Sequence, residues 1–339
     1  MKHSLEGGLV LERSDLTDHH QCPVCNGAKL RKSERIQFRK AEIQYDLCAN
    51  CELMFMNPMP SQAWYNRFYA QEFWEEKSVK SGVEQFELQE DQALKELKRA
   101  QIVFRFLSDS KCLPPEGARI LEVGCAFGLI GRSIAVRFGG VAFGAEPSDS
   151  ASAFAKQHVG VDIVARGADD LEHWDPSAPV NLVIFSHVIE NIVDPLAVLS
   201  QVYRLLGPQG LLYIETPNPV FQRSTSIYHP YIYSARAIKH LVRRAGFDVK
   251  VYETNGLPRN SVVPRFQRLV AIKGSKPDSA LPPPKPGMIS FPLRRRAGLS
   301  FWRLGKAFRQ KATLDETAES LFAEVKKSMR EKPDATAVV

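Results

Sequence analysis

The chain has 339 residues, of which 44% are hydrophobic and 24% are charged, and this length predicts roughly two domains. The composition excludes wholesale disorder, collagen and a coiled coil. No apolar run approaches the roughly 18–20 residues that a membrane-spanning helix needs, and the N-terminus lacks the continuous apolar segment of a signal peptide. We therefore expect a cytoplasmic protein with reduced cysteines.

The net charge of +7 comes from one segment of the chain. Residues 264–311 contain 12 Lys and Arg residues and one acid, a net charge of +11. The rest of the chain, with 33 basic and 37 acidic residues, carries −4. The body of the protein is therefore slightly acidic, and the overall basicity says little about what that body binds.

Four of the six cysteines form two C-x-x-C pairs, Cys22 with Cys25 and Cys48 with Cys51. In a reducing compartment this spacing predicts a four-thiolate zinc site, because each pair turns tightly enough to direct two sulfurs at one metal. The segment between the pairs alternates as two short strands would, and it would return the chain to the site. A closed shell of four cysteines makes the zinc structural. Two redox pairs or a disulfide clamp are the alternatives.

Aromatic side chains are dense after the second cysteine pair. They are Trp64, Tyr65, Phe68, Tyr69, Phe73 and Trp74. We expect them to pack the small N-terminal domain onto its neighbour, and a lid that contacts substrate is the alternative. Residues 84–107 follow a helical period and lead into the main domain.

From residue 119 onward, short apolar runs alternate with helical stretches. The runs are nearly continuous, as expected for parallel strands covered on both faces. They occupy residues 119–123, 141–147, 161–165, 180–186 and 210–216. The alternation predicts a doubly wound α/β sheet. A helix closed by Gly246 comes next, and then two strands joined directly to each other.

A glycine turn lies after the first of these strands. It lets a ligand approach the backbone, and the helix after it offers free amides. Gly124 and Gly128 are separated by three residues, with Ala126 between them, so the dinucleotide fingerprint G-x-G-x-x-G fits poorly. Glu146 ends the second strand, 24 residues after Glu122, and matches the carboxylate that binds a ribose diol.

These motifs resemble those of the class I S-adenosylmethionine (SAM)-dependent methyltransferases. The resemblance covers about residues 118–275 and includes LEVGCAFG, FGAEPS, GADDLE, SHVIENIVDP and LLGPQGLLYIETPN. It implies a Rossmann-like seven-stranded sheet with SAM as the cofactor. Gly124 and Gly128 would accommodate the methionine part, and Glu146 would hold the ribose hydroxyls. Asp169 or Asp170 would lie beside the adenine. The expected cofactor site further includes Glu122, Cys125, Pro147, Ser186 and His187.

The N-terminal CPVC…CANCELMFMNPMP is similar to the zinc ribbon of a methyltransferase subgroup linked to sugar, polysaccharide and lipid tailoring. With this second resemblance, the chain divides into four predicted segments. They are a zinc ribbon at 18–60, a helical linker or lid at 61–117, a SAM-binding domain at 118–275, and a proline-rich linker with a basic amphipathic tail at 276–339.

Three residues are candidates for the catalytic chemistry. Methyl transfer needs in-line positioning, and an alcohol acceptor also needs a base, for which histidine is suited near pH 7. His187 comes directly after the fourth core strand, at the edge where such sheets bind ligands. Glu190 would orient it or cap a helix, and His229 is the second candidate base. The subgroup usually has H-x-x-E-H here, but Asn191 replaces the second histidine and cannot act as a base.

The residues after the fourth strand indicate the class of acceptor. Enzymes that methylate nucleic-acid amines typically carry N-P-P-Y there, whereas this chain has Ser186-His187-Val188-Ile189. The resemblance therefore favours a hydroxyl or carbon of a small-molecule, sugar, glycan or lipid-linked acceptor. An RNA methyltransferase that grips RNA through the ribbon and the basic tail is one alternative. A non-catalytic protein with the same fold is the other.

The C-terminal part begins with a proline-rich linker at residues 275–287. The basic, aromatic segment 291–311 is typical of an interfacial helix that contacts a membrane surface or an acidic partner. A disordered or self-packing extension is the alternative. Thr313 and Glu316 form a capping-box pattern. We expect the helix after it to bury one apolar stripe, against the domain itself or against a second copy of the chain.

Overall fold

The computed structural model describes residues 10–39, 41–71, 85–257, 262–274, 277–278, 280–285, 291–304 and 313–331. Phe73 and Trp74 of the predicted aromatic cluster lie outside these ranges. None of the helices in the described ranges is both long and apolar enough to cross a membrane.

The N-terminal region forms short antiparallel strands. They are β1 (Leu16–Thr17), β2 (Leu30–Phe38), β3 (Ala41–Cys48), β4 (Met54–Met56) and β5 (Met59–Pro60). The β2–β3 hairpin runs between the two cysteine pairs, as the alternating sequence predicted, and its register extends from Leu30 opposite Cys48 to Phe38 opposite Ala41. β4 pairs with β3, and β1 pairs with β5.

The main sheet has seven strands. They are β6 (Arg119–Val123), β7 (Val141–Ala145), β8 (Asp162–Ala165), β9 (Val180–Ser186), β10 (Leu206–Pro217), β12 (Phe247–Asn255) and β13 (Phe266–Lys273). Their order is β12-β13-β10-β9-β6-β7-β8. Only β13 runs antiparallel to its neighbours β10 and β12. This arrangement confirms the predicted α/β sheet and its directly joined last pair of strands.

Eight α-helices lie in the described ranges. They are α1 (Gln62–Gln71), α2 (Gln85–Asp109), α3 (Leu129–Arg137), α4 (Asp149–Phe154), α5 (Pro195–Leu205), α6 (Ala235–Arg244), α7 (Phe291–Leu304) and α8 (Glu316–Glu331). One face of the main sheet packs against α2, α3, α4 and α8, and the other against α5, α6 and the N-terminal region. Successive residues of β10 point into opposite layers: Tyr213 packs in the first of these layers and Ile214 in the second.

The N-terminal region is joined to the main domain by a shared strand. β11 (Tyr231–Ile232) lies after β10 in the chain but pairs with β4, so the small sheet has the order β11-β4-β3-β2. Trp64, Tyr65 and Phe68 of α1 are fully buried in the same core. The predicted packing role of these aromatic side chains is therefore confirmed.

Helix α8 covers the face of its own domain. One apolar stripe of the helix is buried against that domain, which confirms the prediction. The stripe consists of Ala318, Leu321, Val325 and Met329. The predicted capping box at Thr313 is wrong, because Asp315 is the residue whose carboxylate accepts the Ala318 N–H at 3.0 Å. Arg137 donates two hydrogen bonds to the same carboxylate, at 2.7 and 2.8 Å, and fixes it at the helix start.

Candidate active site and metal centre

The four cysteines of the two pairs come together in one buried cluster. Their sulfurs all lie within 4.8 Å of one another, with 3.5 Å between Cys22 and Cys51 and 3.6 Å between Cys25 and Cys48. Zinc bound tetrahedrally at about 2.3 Å from each sulfur requires sulfur–sulfur separations of about 3.8 Å. A disulfide requires about 2.05 Å. The donor set therefore fits one structural zinc ion, and the four thiols are not joined as a disulfide clamp.

A cavity of about 750 Å³ opens at the carboxyl ends of the parallel strands. Most of the predicted site residues line it. They are Glu122, Gly124, Cys125, Glu146, Pro147, Asp169, Ser186, His187 and His229. Three predicted residues, Gly128, Asp170 and Glu190, are not part of its wall.

The glycine turn has left-handed backbone conformations at three positions. Gly124 has φ +64°, Ala126 has φ +48° and Gly128 has φ +75°. A Cβ at Gly124 would lie 2.4 Å from Val188 Cγ2, so this position needs glycine for space as well as for conformation. A Cβ at Gly128 would meet Val161 instead, at 2.8 Å. Gly128 therefore shapes the start of α3, and its role in accommodating the methionine part stays a prediction.

Glu146 links the end of β7 to the glycine turn. Its Oε2 accepts the Ala126 N–H at 2.8 Å, and its Oε1 accepts the Ser148 N–H at 3.0 Å. A carboxylate has about four acceptor sites, and these two bonds use one site on each oxygen. The position and chemistry of Glu146 fit the ribose diol of SAM.

Two further buried carboxyls support the same turn. Glu122 Oε2 accepts the Gly131 N–H at 2.8 Å. Glu96, on α2, accepts the N–H groups of Phe127 at 3.3 Å and Leu129 at 3.2 Å. Burial raises the pKa of Glu96 to about 7 and that of Glu122 well above its ordinary value. Glu96 was not predicted from the sequence, where its one signal is a carboxylate on the apolar face of a helix.

His187 lies between two buried carboxylates. Its Nδ1 is 3.4 Å from Glu190 Oε1, and its Nε2 is 3.2 Å from Glu215 Oε1, although neither contact is aligned as a hydrogen bond. Arg99 on α2 donates to Glu215 Oε1 at 2.9 Å. Burial alone would raise the pKa of both carboxyls, but the contacts with His187 outweigh this effect and lower both pKa values. Arg99 lowers the pKa of Glu215 further, to about 2. Both ring nitrogens of His187 thus face a carboxylate.

The backbone of His187 is also held in place. Its φ is +61°, its N–H donates to Glu215 O at 2.8 Å, and Asn191 Nδ2 donates to His187 O at 3.3 Å. Asn191, which replaces the second histidine of the subgroup pattern, therefore holds the loop that carries His187. Glu190 lies behind the ring rather than in the cavity wall, in a position to orient His187.

His229 presents a different arrangement. Its ring lies in the cavity wall, and its Nδ1 is 2.6 Å from Ser224 O. A carbonyl oxygen can only accept, so Nδ1 carries the hydrogen in this contact, and Nε2 is the acceptor nitrogen of the neutral ring. This tautomer suits a group that takes up a proton at Nε2.

Helix α1 has a cavity face as well as a packing face. Gln62, Asn66 and Tyr69 line the cavity, and Asn66 Nδ2 donates to Asp169 Oδ2 at 3.1 Å. The helix therefore covers the cavity while its aromatic residues fill the core. Tyr69 belongs to the predicted aromatic cluster, for which a lid was the alternative role, whereas Gln62 and Asn66 were not predicted because the dense aromatic positions around them dominate the pattern.

Comparison with known proteins finds similarity in the part of the chain that holds this cavity. Residues 94–250 match a family model described as a methyltransferase domain. The ubiquinone biosynthesis O-methyltransferase of Rhizobium leguminosarum bv. trifolii is 30% identical over 108 residues, which are 31% of this chain and 42% of that protein. The protein of the same name from Cereibacter sphaeroides is 34% identical over 122 residues, which are 35% of this chain and 49% of that protein. The chain thus spans less than half the length of these curated relatives.

Among solved structures, the chain is similar to magnesium protoporphyrin IX methyltransferase (ChlM) from Synechocystis PCC 6803 with bound SAH. The alignment covers 63% of this chain and 100% of that one, with a TM-score of 0.45 and 13% identity.

Proposed function

We propose that this chain, which carries a SAM-dependent methyltransferase domain, methylates a hydroxyl group of a small-molecule acceptor and uses His229 as the general base. The observation that carries the proposal is the anchored ring of His229 in the cavity wall, with Nδ1 fixed 2.6 Å from Ser224 O. The two curated relatives are O-methyltransferases by name, which supports oxygen as the acceptor atom.

The cofactor would occupy the part of the cavity nearest the glycine turn. SAM supplies an electrophilic methyl group on a sulfonium. Glu146 would bind the ribose hydroxyls, and Asp169 would lie at the adenine end, where Asn66 already holds its carboxylate. The position of Gly124 beside Val188 keeps the turn close to the ligand. These residues bind and orient, and such positioning contributes on the order of 7–11 kcal/mol to a displacement reaction.

The acceptor hydroxyl would lose its proton to Nε2 of His229 as its oxygen takes the methyl group. The bond from the methyl carbon to the sulfonium sulfur would break, and that sulfur would leave as a neutral thioether. The Nδ1–H group would then stabilise the imidazolium by its bond to Ser224 O. His187 is placed for another role. Because both of its nitrogens face carboxylates, it would form a fixed network of polar contacts with Glu190 and Glu215 beside the reacting groups.

The acceptor class indicated by the ribbon resemblance is a sugar, glycan or lipid-linked hydroxyl. RNA is less favoured, because two arginines of the basic segment bind acidic residues of the protein itself. Arg294 pairs with Glu52, and Arg295 pairs with Glu34. The same pairs favour the self-packing alternative for this segment over a helix held on a membrane surface.

Labelled SAM and pools of hydroxyl-bearing acceptors test the proposal. We expect a labelled O-methyl product, and we expect His229→Gln to lower kcat by about 10²–10⁴-fold. The Kd for SAM, measured by calorimetry, should stay within about twofold, because His229 belongs to the acceptor side. Full turnover by His229→Gln would contradict the base assignment. A product labelled on carbon, or labelled RNA, would contradict the proposal that the acceptor is a hydroxyl of a small molecule.

A further inference from the structure

The loop between β10 and β11, residues 218–230, supplies two residues to the cavity wall, Gln222 and His229. We call it the acceptor loop. It has no regular secondary structure, so its buried backbone groups need partners from elsewhere in the molecule. Those partners come from segments that are distant in sequence.

The N-terminal region satisfies several carbonyls of the acceptor loop. The Tyr45 hydroxyl on β3 lies 2.8 Å from the carbonyl oxygens of Ser226 and His229 and shares its proton between them. On α1, the Tyr65 hydroxyl donates to Ile227 O at 2.8 Å. These contacts leave the first half of the loop, residues 218–225, to be held by other groups.

Arg295 holds that first half. Its side chain is only 6% exposed. Its Nε donates to Glu34 Oε1 at 2.8 Å, and its Nη1 donates to the carbonyl oxygens of Pro219 and Gln222. The second oxygen of Glu34 accepts the Thr225 hydroxyl at 3.2 Å. One ion pair, between a buried guanidinium and a partly exposed carboxylate, thus connects β2, α7 and both ends of the 219–225 segment.

Helix α7 is fixed firmly enough to position this guanidinium. Phe291 is buried, and Arg294 pairs with Glu52, the residue after Cys51. A Cβ at Gly298 would lie 2.2 Å from Val220 O, so the helix approaches the loop backbone as closely as a glycine allows. Phe291, Arg295 and Gly298 lie on one face of the helix, and this face is the one that docks.

We infer that Arg295 is a positioning residue for the acceptor side of the cavity. Together with Glu34 it fixes the shape of the acceptor loop and thereby the anchored tautomer of His229. The inference rests on the proposed base role of His229 for its effect on turnover, but its structural part stands independently. A planar guanidinium reaches a carboxylate and two carbonyls at once, which a lysine ammonium cannot reproduce.

The test compares Arg295→Gln with Arg296→Gln in the full-length, zinc-loaded protein. Arg296 is the next residue in the same helix and is exposed. Nitrogen NMR of ¹⁵N-histidine-labelled protein reports the tautomer of each ring, and His229→Gln assigns the His229 signal. Hydrogen exchange of residues 218–230 reports the mobility of the loop. Both measurements need no acceptor.

We expect Arg295→Gln to speed exchange in the acceptor loop at least tenfold and to mix the His229 tautomers. Arg296→Gln should change neither signal, and exchange at residues 119–131 should stay unchanged in both variants. If Arg295→Gln leaves the loop and the tautomer like the parent protein, the inference is wrong. Thr225→Val, which removes only the loop's bond to Glu34, provides the same readout if Arg295→Gln does not fold.

Activity separates this inference from the proposed function. Once an acceptor is identified, Arg295→Gln should lower kcat/KM for the acceptor at least tenfold while KM for SAM stays within twofold, and Arg295→Lys should not restore it. A loosened loop with unchanged turnover would overturn the effect on catalysis. Full turnover by His229→Gln would overturn the proposed function alone.

Discussion

The cavity has a proposed cofactor end and a proposed acceptor end, and the two are built in different ways. The cofactor end is made mainly by the turns after β6 and β7, and its central contact, from Glu146 to the amide of Ala126, spans 20 residues of the chain. Glu96 and Asn66 add contacts from helices α2 and α1, over 31 and 103 residues. The acceptor end is held by contacts between distant segments, and the ion pair of Arg295 with Glu34 spans 261 residues. A local site keeps its shape once its strands form. The acceptor end depends on the ribbon, the main domain and a C-terminal helix assembling together.

Loss of the metal centre should separate the two ends most clearly. We expect Cys48→Ser to unfold the N-terminal region, because structural zinc sites contribute on the order of 10 kcal/mol to the folding of small domains. Acceptor turnover should be lost, while SAM binding measured by calorimetry should weaken by less than about tenfold. Cys112→Ser, at a cysteine outside the cluster, is the matched control. Equal loss of both functions would show that the cofactor end is not independent.

The converse change is made at the cofactor end. Glu146→Ala should raise the Kd for SAM by about 10²-fold, because it removes the carboxylate that holds the turn and would bind two hydroxyls. Hydrogen exchange in the acceptor loop should remain that of the parent protein. Faster exchange in residues 218–230 would contradict the separation of the two ends.

The charge network around Glu215 lies between the two ends, and its pH dependence tests how it is held. His187 and Arg99 hold the pKa of this carboxyl at about 2 despite burial, against an ordinary value of 4.5. A depressed pKa adds stability above pH 4.5, and this stability is lost as the pH falls toward 2. The largest contribution of this shift to the free energy of unfolding is about 3 kcal/mol. We expect Glu215→Gln to lower the free energy of unfolding by about 1–2 kcal/mol at pH 6, because the amide oxygen can still accept from Arg99.

Urea unfolding at pH 6, 4 and 3 measures that difference, which should shrink as the pH falls. Glu253→Gln is the control, since Glu253 is a half-exposed carboxyl that pairs with Arg268 on the same sheet. A loss of stability in Glu215→Gln that stays constant over this pH range would show that the ionised carboxylate is not what stabilises the network.

The difference between local contacts and contacts of distant segments also separates the features that the sequence predicted from those that it did not. The strands of the main sheet, the cysteine cluster and the positions of Gly124 and Glu146 each depend on neighbouring residues, so short motifs were sufficient to find them. Glu96, Arg99 and Glu215 were missed, because their partners come from other elements and a buried charge in a helix or strand does not reveal what it faces.

The basic segment shows the limit of charge arithmetic. Its surplus of positive charge suggested a tail that contacts a membrane surface or an acidic partner. Instead, Arg294 binds Glu52 and Arg295 binds Glu34 of the protein itself. A signal was present in the sequence, because Phe291, Arg295 and Gly298 recur at the spacing of one helical face. Net charge counts residues, whereas docking depends on which face of the helix carries them.

The pairing of β11 with β4 has a consequence for how such a protein can be recombined. The ribbon is contiguous in the sequence, but one strand of its sheet is supplied by residues 231–232. A chimera that exchanges the first 60 residues alone would mismatch this strand, the loop that leads into it and the helix that clamps that loop. The transferable module is therefore a discontinuous set of three segments, and inheritance of a new acceptor preference would require all three to move together.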